Sequence, residues 1–137
     1  MKKINFLLIL IILFTLFTFS GCSLNSLTPA KITTDAVVVE RVSLSKVAAI
    51  EEEAIVRELT SLYNSLKLKK INKNIDVSSV INVVFYEDKK EKSVLSVDKN
   101  GLLYLYRDEE NIFKILNKDF NYSRVEQIYE EYKSDKE

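Results

Sequence analysis

Val80-Ile81-Asn82-Val83-Val84-Phe85-Tyr86 is apolar on both of its alternating faces, with Asn82 the one exception. β-branched and aromatic residues in an unbroken run belong in a strand covered on both sides by neighbours, so these residues are expected in the middle of a sheet. Toward the C-terminus the pattern recurs at short intervals. A charged turn at 87–92 leads to a strand at 93–97, and Asp98-Lys99-Asn100-Gly101 makes a hairpin turn whose glycine accepts positive φ. A strand at 102–106, a polar turn at 107–111 and a strand at 112–116 complete the series, which is the spacing of an antiparallel meander.

Working back toward the N-terminus, Val37-Val38-Val39 with Glu40, Arg41 and Val42 reads as a first strand, while 43–50 fits either a strand extension or a helix start. Beyond Glu51 the period changes. Ile55, Leu59, Leu62 and Leu66 recur at helical spacing, widened by Val56 and Tyr63, and predict an amphipathic helix of about 16 residues. Glu51, Glu52 and Glu53 would sit at its start and Lys67, Lys69 and Lys70 near its end, each sign matched to the helix dipole. Glu58 falls on the solvent side, so Glu58→Gln is expected to do little. Near the chain end, Ser123-Arg124-Val125-Glu126 has the form of a capping box ahead of a short helix carrying Val125, Ile128, Tyr129 and Tyr132. The expected fold is α+β: a single small domain in the order β-α-β-β-β-β-α, an antiparallel meander with one long helix packed on a face and a short C-terminal helix.

Composition limits the chemistry available to this domain. The 137 residues contain one cysteine and no histidine. A disulfide within the chain and a histidine-based triad drop out, and a zinc or copper site would have to rely mainly on carboxylates. Basic and acidic residues balance at 20 each, so no nucleic-acid footprint is present. No cofactor and no metal site is expected, and an enzyme is not. Asp98 to Gly101 lacks the glycine and glutamate positions of an EF-hand loop.

The lone cysteine gives the clearest functional signal. Lys2 and Lys3 precede an apolar run over 4–19, and Phe19-Ser20-Gly21-Cys22 closes it with two small residues and a thiol. This resembles the lipobox of bacterial lipoprotein precursors. The resemblance implies a signal peptide at 1–21, a diacylglyceryl group on the Cys22 sulfur, and a mature protein beginning at Cys22. A membrane-spanning helix fits less well, because sixteen residues make roughly 24 Å against a hydrocarbon core of roughly 30 Å. Residues 22–34, with the only proline, Pro29, read as the lipidated cysteine and a tether, and 35–137 as the extracytoplasmic domain. The strand, helix and meander also resemble small lipoprotein domains common in low-GC Gram-positive bacteria. That places the protein in the cell envelope, at the outer face of the cytoplasmic membrane.

Two surfaces stand out as candidate contacts. Lys67, Lys69, Lys70 and Lys73 would suit an anionic membrane surface, each lysine contributing about 1 kcal/mol. Tyr104 and Tyr106 should lie opposite Leu103 and Leu105 on their strand, where Val84 and Tyr86 would join them. That face is either covered by the C-terminal helix as a second core layer or left open to a protein or envelope-polymer partner. The expected role is a membrane-anchored, non-catalytic binding or accessory domain. Alternatives are an immunity-type lipoprotein that captures a toxin or lytic enzyme, and a hydrolase using only carboxylates from the 51–53 and 108–110 clusters.

Overall fold

The computed structural model of the protein describes residues 26–44 and 46–135, and the expected signal peptide with the Phe19 to Cys22 motif lies outside them. The described residues form one α+β domain built on an eight-stranded antiparallel sheet. In chain order the elements are β1 (Ala36–Arg41), β2 (Lys46–Ile50), α1 (Glu53–Asn64), β3 (Leu68–Ile71), a 3₁₀ turn (Val77–Ser79), β4 (Ile81–Glu87), β5 (Lys90–Val97), β6 (Leu102–Leu105), β7 (Asp108–Ile115), α2 (Tyr122–Tyr132) and β8 (Lys133–Asp135). Across the sheet the order is β3-β7-β6-β5-β4-β1-β2-β8. The apolar run around Val83 is therefore interior, with β1 on one side and β5 on the other, as its two-faced hydrophobicity requires.

Register assigns every side chain to a face. Val37 pairs with Phe85, Val39 with Val83, Val83 with Leu95, Ile81 with Val97 and Val97 with Leu103, and all of these are buried. On this face Val56, Leu59 and Tyr63 of α1 and Val125, Ile128 and Tyr129 of α2 complete one continuous core. The Tyr63 ring packs against Phe85 at 5.0 Å between centroids, and its hydroxyl accepts from the Ser93 hydroxyl at 2.9 Å. Burying a tyrosine this way satisfies its polar end while its ring fills the layer.

Several details differ from the sequence-based expectation, each for a physical reason. Residues 46–50 are a strand, because Ala48 and Ile50 are needed to bury α2 on the core face. The helix is 12 residues long and ends at Asn64, without basic residues in its last turn. Lys69 and Lys70 lie instead in β3, where pairing of Leu68 with Ile115 and Lys70 with Phe113 gives the backbone a ladder that a continued helix would forgo. The charged segment 87–92 shrinks to a two-residue turn at Asp88 and Lys89, both at positive φ, and the polar segment 107–111 to a turn at Tyr106 and Arg107. Short polar strands then fill the remainder, and the Asp88–Lys89 turn, with both residues at positive φ, matches the twist of its flanking strands. α2 is capped by Asn121, whose side chain accepts from the Ser123 N–H at 3.0 Å, and not by Ser123. The hairpin at 98–101 is as expected: the Asp98 carboxylate is fully buried and accepts from the N–H groups of Asn100, Leu102 and Asp76. Gly101 sits at φ +71°.

Two further contacts have no counterpart in the sequence-based expectation. Residues 26–34, expected as a tether, are fixed to the domain: Leu27 makes a two-bond bridge to Leu68, and the Asn64 side chain both donates to the Ile32 carbonyl and accepts from its N–H at 2.8 Å. Glu58, expected to be idle, takes both Nε and Nη2 of Arg124 at 2.7 and 2.8 Å and so ties α1 to α2. A bidentate pair of this geometry is among the stronger side-chain contacts.

These contacts set expectations for stability. Leu59→Asp places an unpaired charge in the core and should cost several kcal/mol of a total of about 5 to 15, seen as loss of the cooperative urea transition. The Arg124 guanidinium holds the Glu58 carboxyl below its ordinary value of 4.5. A carboxylate lowered on folding stabilises the fold above that ordinary value and ceases to do so as pH falls through the lowered one. The thermal midpoint should therefore drop on acidification below pH 4.5, and Glu58→Gln should lower the neutral-pH midpoint while flattening that drop. An unchanged acid limb in Glu58→Gln would show that the α1–α2 pair contributes nothing. Asn64→Ala should expose residues 28–34 to limited proteolysis ahead of the rest of the domain, and unchanged cleavage order would contradict the clamp.

Candidate functional site

Because successive strand residues point to opposite faces, the register that buries Val37 and Phe85 under the helices turns a second set of side chains away from them. One row is Val47, Glu40, Asn82, Ser96 and Tyr104, and the next is Ala49, Val38, Val84 and Val94. Both helices lie on the core face, so α2 does not cover the tyrosine face, and the second-core-layer alternative fails. The connection 72–80 runs from edge strand β3 to interior strand β4 across this side. Asp98, turned away from the core by its neighbour Val97, accepts from the Asp76 N–H there at 2.9 Å. This crossing shields the upper corner around Leu102. The two rows and Tyr86 lie beyond it.

What the remaining area offers is partly apolar and partly polar. Val38, Val94, Tyr86 and Tyr104 are half-buried, with their neighbour Val84 packed beneath at 9 % exposure. Through the row beside them runs a hydrogen-bonded ladder: Ser96 donates to Asn82 Oδ1 at 2.7 Å, and Asn82 Nδ2 donates to Glu40 Oε1 at 3.1 Å. The ladder fixes the orientation of Asn82 and ends at the Glu40 carboxylate. In the sequence Asn82 stands out only as the interruption of an apolar run. Its partners on β1 and β5 could be found only from register.

The structure separates the expected site residues from one another. Tyr86 and Tyr104 share the face but stand on β4 and β6, two strands apart. Tyr106 is in the β6–β7 turn, 45 % exposed, with the Arg107 guanidinium 5.1 Å from its ring centre. Lys67, Lys69, Lys70 and Lys73 are strung along edge strand β3 and its flanks, Lys69 opposite Lys114 and Lys70 opposite Phe113, so they do not gather at a helix end. Lysines on an edge strand also blunt it against pairing with another sheet. Cys22 is outside the described residues.

A hollow of about 770 Å³ lies elsewhere, between residues 31–34 and α1, lined by Arg57, Thr60, Ser61 and Asn64 among others. Several of its polar groups are engaged with one another: Asn64 with Ile32, Thr60 with Thr34 and the Val56 carbonyl, and Arg57 with Glu53. Glu51, Glu52 and Glu53 are exposed, and Glu52 accepts from the Tyr132 hydroxyl, whose pKa is pushed up to about 12 by that bond. Among the described residues no group of three or more carboxylate, cysteine or histidine side chains is placed to hold a metal ion. No helix among them is long and apolar enough to cross a membrane. No family model matches the chain, and neither curated proteins nor solved structures show a match.

Removing the two tyrosines separates surface from core. Tyr86→Ser combined with Tyr104→Ser should leave the thermal midpoint within a few degrees of the parent, because both rings stand on the face away from the helices. A midpoint far below that would mean that the rings carry packing the domain cannot lose.

Proposed function

We propose that the protein is an envelope lipoprotein, anchored by diacylglyceryl-modified Cys22 at the outer face of the cytoplasmic membrane, whose domain binds a protein partner and does no chemistry of its own. The observation that carries the binding role is the one-sided sheet. Two helices crowd one face, and the other presents half-buried tyrosines, a valine row and an oriented Glu40–Asn82–Ser96 ladder. Rigid aromatic side chains beside fixed polar groups are the kind of surface in which interface energy concentrates. The anchoring role rests on Lys2, Lys3, the apolar run and the Ser20-Gly21-Cys22 ending. Fixation of the chain from Leu27 onward supports it, since the anchor then positions the domain.

Two measurements test the two halves of this reading. Cys22→Ala should lose incorporation of labelled fatty acid and leave the membrane fraction, because two acyl chains are needed for a stable hold. Retained label would refute the lipobox. A photo-crosslinking residue in place of Tyr104, in the lipidated protein on intact cells, should give one discrete adduct that the same residue in place of Ser61 on α1 does not. Equal patterns from the two positions would remove the sheet face as the binding surface.

A further inference from the structure

Strand direction sorts the exposed apolar side chains of this domain by height. β1, β5 and β7 run one way and β2, β3, β4 and β6 the other, which brings several connections to one end of the sheet. That end holds the β1–β2 turn, the 3₁₀ turn ahead of β4, the β5–β6 hairpin, the end of β7 and the start of β3. Among the described residues six large hydrophobic side chains are exposed, and five of them are here: Leu27, Val42, Leu44, Val77 and Leu116, from 40 % exposed at Leu116 to 64 % at Val77. Tyr106 alone lies at the opposite end. The five are spread along the rim from the outside of β3 to the β1–β2 turn, about 31 Å at a strand spacing of about 4.8 Å. Tips so far apart do not make a compact protein-binding patch, whereas an extended, yielding surface such as a bilayer can take up several of them along a twisted rim.

The point where the chain enters the domain falls at the same end. Leu27 is bridged to Leu68, the first residue of β3, and the Leu116 N–H bonds the Lys67 carbonyl beside it. Four residues, 23–26, lie between Cys22 and Leu27, so the five links from one to the other reach at most about 18 Å. β5 alone, with 8 residues, spans about 27 Å. A lipid on Cys22 therefore keeps the Leu27 end against the bilayer. Lys67 and Lys118 stand at the rim on either side of Leu116, and Lys99 there is paired with Asp76, whereas the far end carries Glu51, Glu52, Glu53, Asp88, Asp108 and Glu109 with Lys89 and Arg107 among them.

We infer that this rim is a membrane-contacting surface, its apolar tips seated in the headgroup region of a bilayer containing anionic lipid. The inference rests on lipidation of Cys22. The sheet then stands upright on the membrane, with the tyrosine face turned sideways and the acidic end outward.

The full lipidated protein, reconstituted in vesicles of equal parts phosphatidylcholine and phosphatidylglycerol with a headgroup quencher, tests this directly. Lipid blocks the native thiol, so Val77→Cys, Leu44→Cys and Tyr106→Cys each carry one environment-sensitive fluorophore. Reporters at 77 and 44 should be blue-shifted and quenched severalfold more than the one at 106. Equal quenching, or most at 106, in protein that floats with the vesicles would overturn the orientation alone. Protein that fails to float and takes label at Cys22 would overturn the anchor and the orientation with it.

Discussion

The crowding of both helices onto a single face of the sheet is the constraint on which the rest of this molecule depends. Val37, Val39, Val83, Phe85, Leu95 and Leu103 form a continuous apolar floor across β1, β4, β5 and β6. α1 roofs the part near Phe85 through Tyr63, and α2 reaches β2 through the Tyr129 hydroxyl, which donates to the Lys46 carbonyl. Helices set side by side present their flanks to each other as well as to the floor. Glu58 and Arg124 occupy that seam, and so does the bond between Tyr132 and Glu52. Such contacts are only partly shielded from water, so they fix the relative placement of the helices more than they add to stability.

A floor with one roof leaves an opposite face that must live without one. Val84 on that face is nearly as buried as a core residue, which the neighbouring side chains of adjacent strands accomplish by themselves. Polar rungs at Glu40, Asn82 and Ser96, joined by hydrogen bonds, fix the orientation of the row beside it. Asn82 is thus the point at which the most apolar strand of the protein admits a polar contact on its outward side. The same one-sidedness explains the long path of residues 72–80, since an edge strand joined to an interior strand has to cross a face, and the helices already occupy the other.

Much of this fold was legible in the sequence and the remainder was not, for reasons that can be named. Strands β4, β5, β6 and β7 announce themselves through β-branched and aromatic residues between turn signals, and α1 through its leucine stripe. β2 and β3 do not, because Lys46-Val47-Ala48-Ala49-Ile50 and Leu68-Lys69-Lys70-Ile71 carry no strict alternation and owe their conformation to partners distant in the chain. The Leu27 bridge and the Asn64 clamp on Ile32 are likewise long-range, so a polar segment with a proline gave no local sign of being fixed. Glu58 looked idle because its partner is 66 positions away. Of the candidate contacts, Tyr86 and Tyr104 were assignable by alternation alone, whereas the Asn82 ladder required the register.

Thiol accessibility in the native state tests the one-sided sheet most directly. In a Cys22→Ala background, single cysteines at Val38 and Val94 on the outward face, and at Val37 and Val83 under the helices, would be exposed to a small thiol reagent. Neighbouring positions 37 and 38 differ only in the face they occupy, so the comparison is internal to one strand. The account predicts rapid modification at 38 and 94 and protection at 37 and 83 until the domain unfolds. Protection at all four positions, or rapid modification at 37 and 83, would contradict it.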